Sequence, residues 1–399
     1  MNVLLMSLMY PDDTIEDVAR NARDGLQNQI NSYQRALVKG LTEGLEPGEN
    51  LDIVNCLPVG VFPTHYRRLI LRSGMHQPRM QELGGLNLPW VKQRGRRRRA
   101  ARALAEWAGR DGENRTVLLY TLYLPYMQAV AAAKRKYPDL RACVIVTDLP
   151  NELGISSGRR GLLKRAEYAM GDQRIELCKA FDGFVLLTQA MAEALPIEGK
   201  RQMVLEGLIE DAPEPPAESA DGRKPAVLYT GTLNRELGIG ELLEAFGRMP
   251  EYELWLCGRG DMEREAQLAS RRYAHIHYFG FVPQAEALRL QARASLLINP
   301  RSPMGVYTRY SFPSKTLEYM RSGKPVLCYR LEGIPQEYDP FLYYMKRGGA
   351  EGICEAVRET LSLSSSVLAE RGQAARRYVL EQKNPKVQCG RVIRFLREL

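Results

Sequence analysis

The chain is 399 residues long, 45% apolar and 26% charged, which are values of a globular protein long enough for two cores. Its 56 Lys plus Arg against 47 Asp plus Glu leave a formal charge of +9, which by itself admits nucleic acid, anionic lipid or an anionic substrate. Seven scattered cysteines with no C-x-x-C pair, and four histidines without zinc-site spacing, argue against a disulfide framework and a structural metal.

The apolar run at Asn2–Met9 has no basic residues before it and is followed by Pro11-Asp12-Asp13, so it reads as a first strand and not a signal peptide. Leu26, Ile30, Tyr33, Leu37 and Leu41 recur at helical spacing. Thr116–Leu122 is a strand, Tyr126–Lys136 a helix, and Arg141–Thr147 and Phe184–Thr188 are further strands. Asp211–Pro225 is rich in Pro and acidic residues and reads as an exposed linker. The alternation then resumes with strands at Ala226–Thr230, Tyr252–Cys257, Ile276–Phe279, Ser295–Asn299 and Pro325–Tyr329. Helices are expected at Ile239–Phe246 and Met262–Arg271. Alternating strands and helices predict two doubly wound, Rossmann-like α/β domains with parallel sheets, residues 1–208 and 209–384. The apolar residues Val392, Ile393, Phe395 and Leu396 give a C-terminal helix, 385–399, that suits either domain. No segment is long and apolar enough to span a bilayer, so a cytosolic protein, or one held at the inner face of a membrane, is expected.

In such folds ligands bind beyond the carboxyl ends of the strands, and the default site is a cleft between the domains. The richest stretch for this is Tyr310–Met320. Pro313 suits a helix start, Ser311 or Ser314 offers hydroxyl and amide donors there, and Lys315 adds a full charge. Phe312 lies within the same turn. Glu318, one turn on, has the chemistry to accept two hydrogen bonds from a ribose diol. These residues suit a nucleoside-diphosphate clamp, and equally a plain capped helix with a solvated Lys and Glu. Gly231-Thr232 and Gly258-Arg259-Gly260 are glycine turns after strands, where a backbone can approach a phosphate. Neither is a G-x-G-x-x-G or P-loop pattern. In the first domain Asp148 ends a strand and suits either an acceptor hydroxyl or a loop cap, and Tyr123 ends the preceding strand.

Lys92, Arg94, Arg96, Arg97, Arg98, Arg99 and Arg102 form one basic cluster with an apolar stripe at Ala100, Leu104 and Trp107. Residues 66–72 and 159–165 repeat the theme. An anionic membrane surface attracts such segments, with Arg96–Arg99 as the facing charges. A solvated helix face is the plainer alternative. Nucleic acid is not expected, because no binding motif or interleaved aromatic is present.

The second half resembles the donor domain of glycosyltransferase family 4, a retaining family of GT-B fold. The resemblance rests on YTGTLNRELGIGELLEAF (229–246), LWLCGRGD (254–261), IHYFGFVP (276–283), LLINPR (296–301), YSFPSKTLEYMRSGKPVL (310–327) and LEGIPQEY (331–338). GLQNQINSYQRALVKGL (25–41) and VIVTDLPNELG (144–154) match more loosely. The resemblance implies a nucleotide-sugar donor on the second domain, a glycan or lipid-linked acceptor on the first, and no metal or other cofactor, with UDP-sugar favoured over GDP-sugar. It implies a donor set of Gly231, Thr232, Gly258, Arg259, Gly260, Val282, Ser311, Phe312, Pro313, Ser314, Lys315 and Glu318. Arg235 and Lys315 would stabilise the departing diphosphate, and Asp148 and Tyr123 would serve the acceptor. Glu318 matches the second glutamate of the family's E-x-x-x-x-x-x-x-E motif, whereas Tyr310 stands at the first. Thr232 and Leu237 stand where many relatives carry Arg and Lys. The expected base contact is Phe281-Val282-Pro283 through its backbone, with the Phe281 ring in the core. The role implied is bacterial envelope, capsule or exopolysaccharide synthesis. An inactive scaffold, or a sugar-nucleotide epimerase, are the other readings.

Overall fold

The computed structural model describes residues 1–77, 79–110, 114–150, 162–211, 224–305 and 308–399. The chain divides into two compact units, residues 1–208 with 385–399, and residues 209–384. The expected linker lies outside the described residues over 212–223, as do residues 151–154 of the 144–154 segment and 159–161 of the basic segment 159–165.

The strands of unit 1 are β1 (Asn2–Ser7), β2 (Asn50–Asn55), β3 (Ile70–Leu71), β4 (Gly74–His76), β5 (Met80–Glu82), β6 (Gly85–Leu86), β7 (Arg115–Tyr120), β8 (Arg141–Val146), β9 (Gly183–Leu186) and β10 (Arg201–Val204). Its helices are α1 (Ile15–Asn21), α2 (Asn28–Gly44), α3 (Val91–Ala108), α4 (Leu124–Lys136) and α5 (Leu162–Leu177). Among the described residues one sheet has the order β10-β9-β8-β7-β1-β2-β5-β4. Only β4 runs antiparallel, to β5. The central strands are near-continuous apolar runs because helices cover both faces.

Unit 2 has β11 (Ala226–Thr230), β12 (Glu253–Cys257), β13 (Ile276–Gly280), β14 (Leu296–Asn299), β15 (Val326–Tyr329) and β16 (Tyr343–Met345). Between them come α6 (Ile239–Phe246), α7 (Glu263–Arg272), α8 (Gln284–Arg293) and α9 (Ser314–Arg321), and after them α10 (Gly349–Leu361) and α11 (Ser365–Gln382). The order is β13-β12-β11-β14-β15-β16, parallel throughout. All its strand-to-helix loops therefore leave the same edge.

The last helix, α12 (Pro385–Arg397), packs on α2, and Cys389, Val392, Ile393 and Leu396 join the core of Leu5, Leu37, Leu41 and Leu118. Gly40 permits this approach, because a Cβ there would sit 2.5 Å from the Cys389 sulfur and from the Pro385 carbonyl. All seven cysteines are buried free thiols.

Candidate functional site

In unit 2 the loops after β11 and β12 lock together through the backbone. Gly231 N donates to Cys257 O at 2.9 Å, Leu233 N to Arg259 O at 2.9 Å, and Met262 N to Leu233 O at 2.8 Å. Gly258 has φ +138°, and a Cβ there would meet Gly231 O at 1.7 Å. A Cβ on Gly260 would meet Leu233 O at 2.3 Å. Loop-on-loop packing thus demands both glycines, whatever ligand approaches. Asp261 completes the joint by accepting from Arg235 N at 2.9 Å, while Asn234 Oδ1 accepts from Asp261 N at 3.2 Å. Thr232 and Arg259 are exposed at the loop tips.

Helix α9 begins beside these loops, at the same edge. Its N-cap is Pro313, and no side chain caps the first turn. Tyr319, buried on α9, ties the helix to β11 by accepting from Thr230 N at 2.8 Å and donating to Thr230 O at 3.1 Å. Lys315 Nζ lies 2.7 Å from Glu318 Oε2, and Gln291 of α8 donates to Glu318 Oε1 at 2.9 Å. Both ends of the Glu318 carboxylate are therefore engaged. Ser311 Oγ accepts from Arg301 at 3.4 Å.

The expected donor residues do not all meet. Arg235 is exposed, with its guanidinium 3.6 Å from Glu265 on α7, and no contact among the described residues joins it to Lys315. The Phe312 ring is buried against Tyr338, centroids 5.5 Å apart, so only its backbone faces the loop. Val282 is half-buried against the core. Phe281 corrects the sequence reading: its ring is not in the core but 70% exposed, with the Arg259 guanidinium 5.7 Å from its centroid. Tyr310 is half-buried beneath the Arg309 guanidinium. Gln291, Tyr319, Asn234 and Asp261 were not singled out in the sequence. An amide or phenol inside an amphipathic helix carries no signal until its partner strand is known.

In unit 1 polar side chains take over from the ladder just beyond β1. Asn55 Oδ1 accepts from Ser7 Oγ and Met9 N, Gln34 Oε1 from Leu8 N, and Asn31 Oδ1 from Tyr10 N, at 2.7–2.9 Å. At the end of β7, Thr121 has φ +62°, a costly conformation for a β-branched residue. Its hydroxyl lies 2.8 Å from that of Thr147, which donates to the exposed carboxylate of Asp148 at 3.2 Å. Tyr123 heads α4, donates to Gln93 Oε1 at 2.8 Å and accepts from Arg96 Nη1 at 2.9 Å.

Arg96 is the second correction. It does not face outward but is 4% exposed, donating to Leu57 O as well as to Tyr123. Lys92, one turn earlier, is also buried and donates to Val59 O and Gly60 O. Two cations on the inner face of α3 thus hold the chain just after β2. Arg99 is half-buried over Gly85, whose absent side chain leaves room for the guanidinium. Of the four consecutive arginines only Arg97 and Arg98 point to solvent. Burial, reinforced by Arg96, pushes the Lys92 ammonium down to about 7. Burial likewise raises Glu82, at the end of β5, to about 7 against the pull of His76 and Arg96.

Residues 224–362 match the family model described as "Glycosyl transferases group 1". The matched residues make up most of unit 2. Three solved structures share the fold along nearly the whole chain. They are a sucrose-phosphate synthase from Thermosynechococcus elongatus (16% identity, TM-score 0.66, covering 100% of this chain and 98% of that one), the lipopolysaccharide outer core galactosyltransferase WaaB in its apo form (11%, 0.62, 100% and 99%), and a UDP-forming α,α-trehalose-phosphate synthase from Burkholderia xenovorans with glucose-6-phosphate (11%, 0.62, 99% and 99%). These are GT-B glycosyltransferases, and the chain has their fold. No curated protein matches the sequence. The matched segment contains every donor-side residue named from the sequence. Among the described residues no cluster of three or more His, Cys, Asp or Glu could hold a metal, and no helix is long and apolar enough to cross a membrane.

Proposed function

We propose that the chain transfers a sugar, with retention, from a nucleoside-diphosphate sugar on unit 2 to a glycan or lipid-linked hydroxyl acceptor on unit 1. The observation that carries this reading is the uncapped first turn of α9 with Lys315 and Glu318 on it, at the sheet edge beside the two interlocked glycine loops. The diphosphate takes the free amides of that turn and the Lys315 ammonium. Glu318, released from Lys315, takes the ribose diol while Gln291 keeps it oriented. Phe281 and Arg259 flank the base. Charge developing on the leaving diphosphate is met by Lys315 and Arg235 without a metal, and the leaving phosphate helps deprotonate the acceptor on the same face. Asp148, with the Thr121 and Thr147 hydroxyls behind it, orients the acceptor, and Tyr123 borders it. The UDP-forming relative supports UDP as the nucleotide. Envelope polysaccharide synthesis at the inner face of a membrane is the setting that fits a basic protein with a lipid-linked acceptor.

The test is a thermal-shift panel of UDP, GDP, ADP, CMP and dTDP on the native protein and on Glu318→Ala. A nucleotide at ~100 times its dissociation constant adds about 2.7 kcal/mol. UDP should raise the melting temperature of the native protein and not of the variant; no shift with any nucleotide would overturn the proposal. A non-catalytic scaffold is the second reading, favoured by Tyr310 and by the closed Lys315–Glu318 pair. It predicts that same absence of any shift.

A further inference from the structure

With Lys92 and Arg96 turned inward, α3 presents a different surface at its start. β3 and β6 form a small antiparallel ribbon in which Ile70 pairs with Leu86. Both side chains are outward, Ile70 61% exposed. Leu71, which alternates with Ile70, is buried, so Ile70 and Arg72 share the outer face. Four residues after Leu86 the chain reaches Trp90, which is 67% exposed and held at φ +62°, and then the exposed Val91 that begins α3. Ile70, Leu86, Trp90 and Val91 thus form an apolar tip on a segment whose inner side is pinned by Lys92 and Arg96. The exposed side of α3 continues from it as Arg94, Arg97 and Arg98. Among the described residues none of these three, nor Arg67 or Arg72, has an acidic partner, whereas Arg68 is paired with Asp17 at 2.6 Å.

We propose that this tip is a membrane anchor: Trp90, Val91, Ile70 and Leu86 enter the interface of an anionic bilayer, and Arg94, Arg97, Arg98, Arg67 and Arg72 meet its headgroup phosphates. Two features select a lipid surface over a protein partner. The apolar tip is bordered by five arginines with no acidic partner among the described residues, which suits a sheet of phosphates and not a mixed protein surface. The single exposed tryptophan stands at the boundary between apolar tip and arginine heads, the position that an amphipathic ring takes at a bilayer interface. The arginine stems can lie along the apolar layer while their heads stay among phosphates. The tip leads directly into the helix that holds Tyr123 through Arg96, so the docked surface adjoins the acceptor-side residues of unit 1. The anchor does not depend on the transferase reading, because it needs neither donor nor Lys315.

The protein has three tryptophans, and Trp107 and Trp255 are buried, so Trp90 reports insertion directly. The full chain is mixed with vesicles of equal parts phosphatidylglycerol and phosphatidylcholine, or of phosphatidylcholine alone, without nucleotide. The anionic vesicles should sediment the protein, shift its emission to the blue, and quench it when the acyl chains are brominated. Trp90→Phe should keep most of the sedimentation and lose the shift. Arg94→Gln, Arg97→Gln and Arg98→Gln together should weaken binding on the order of a hundredfold, at about fivefold per arginine. Raising the salt should do the same to the native protein. Sedimentation without a blue shift, binding indifferent to the three arginines, or no binding at all would overturn the anchor. So would self-association of the free protein that Ile70→Ser abolishes, which would assign the tip to a second copy.

Discussion

Glu82 should make the protein less stable as pH rises towards neutrality. Its side chain is 5% exposed at the end of β5, with Oε2 3.5 Å from His76 Nε2 and no hydrogen bond to that oxygen. His76 in turn is held by Asp13 at 2.8 Å, so its ring stands between two carboxyl groups. Arg96 on α3 helps the charged form, whereas Asp13 opposes it. The net result is a carboxyl raised from 4.5 to about 7. Between those values the folded protein holds a proton that the unfolded chain has lost, so stability falls as pH rises through the window. At about 1.4 kcal/mol per pH unit the loss is about 3 kcal/mol by pH 7. Glu82→Gln should abolish that limb and be the more stable protein at pH 7.5. Urea unfolding at half-unit steps from pH 4.5 to 8 measures it, with Trp107, hydrogen-bonded to Asp52 in the same unit, as a reporter. Parallel profiles for the two proteins would refute the reasoning.

Lys92 works on the other side of neutrality: its folded value near 7 lies below the ordinary 10.5, so its contribution is present above 10.5 and is lost as pH falls to about 7. Lys92→Met should flatten the rise in stability between pH 7 and 10.5, in urea profiles carried over that range. Arg96→Ala should cost about 1–3 kcal/mol, because it leaves Leu57 O and the Tyr123 hydroxyl short of a donor, whereas Arg98→Ala should change the urea midpoint by no more than about 0.5 kcal/mol. Gly258→Ala must displace Gly231 and should lower the melting temperature even without ligand. Lys315→Ala should reduce sugar transfer by about 10²–10³, with an unfolding midpoint close to that of the native protein.

Strands β11 to β15 of unit 2 are legible because each is a short apolar run closed by a turn: Ala226–Thr230 matches to the residue and the other four within one residue, whereas β16, Tyr343–Met345, is too short to stand out. β2 was missed: Asn50-Leu-Asp-Ile-Val-Asn55 has polar residues at both ends and only three apolar ones, and its place is set by β1 and β5 on either side. The ribbon of β3 and β6 is too short to show a period. On α3 the error was of facing. Lys92, Arg96, Ala100, Leu104 and Trp107 share one helical side, but arginine is assigned to solvent by default, and only the free carbonyls after β2 reverse that. The Phe281 ring, expected in the core, is 70% exposed, and nothing in the sequence marks its contact with Arg259. At the candidate site the residue types of the α9 turn were readable, and the Lys315–Glu318–Gln291 arrangement was not, because Gln291 comes from another helix.

The return of α12 to unit 1 also orders the events of synthesis. Ile209 N donates to Lys383 O at 2.9 Å, so unit 2 enters and leaves at one point, and all of it emerges from the ribosome before α12 does. Domains ordinarily fold in the order in which they are made. Here the earlier-made unit lacks one wall of its core, the side of α2 around Gly40, until residues 385–399 arrive. Unit 2 is therefore the first part able to complete itself, and the nascent first unit waits with an apolar helix face uncovered while some 180 residues are added.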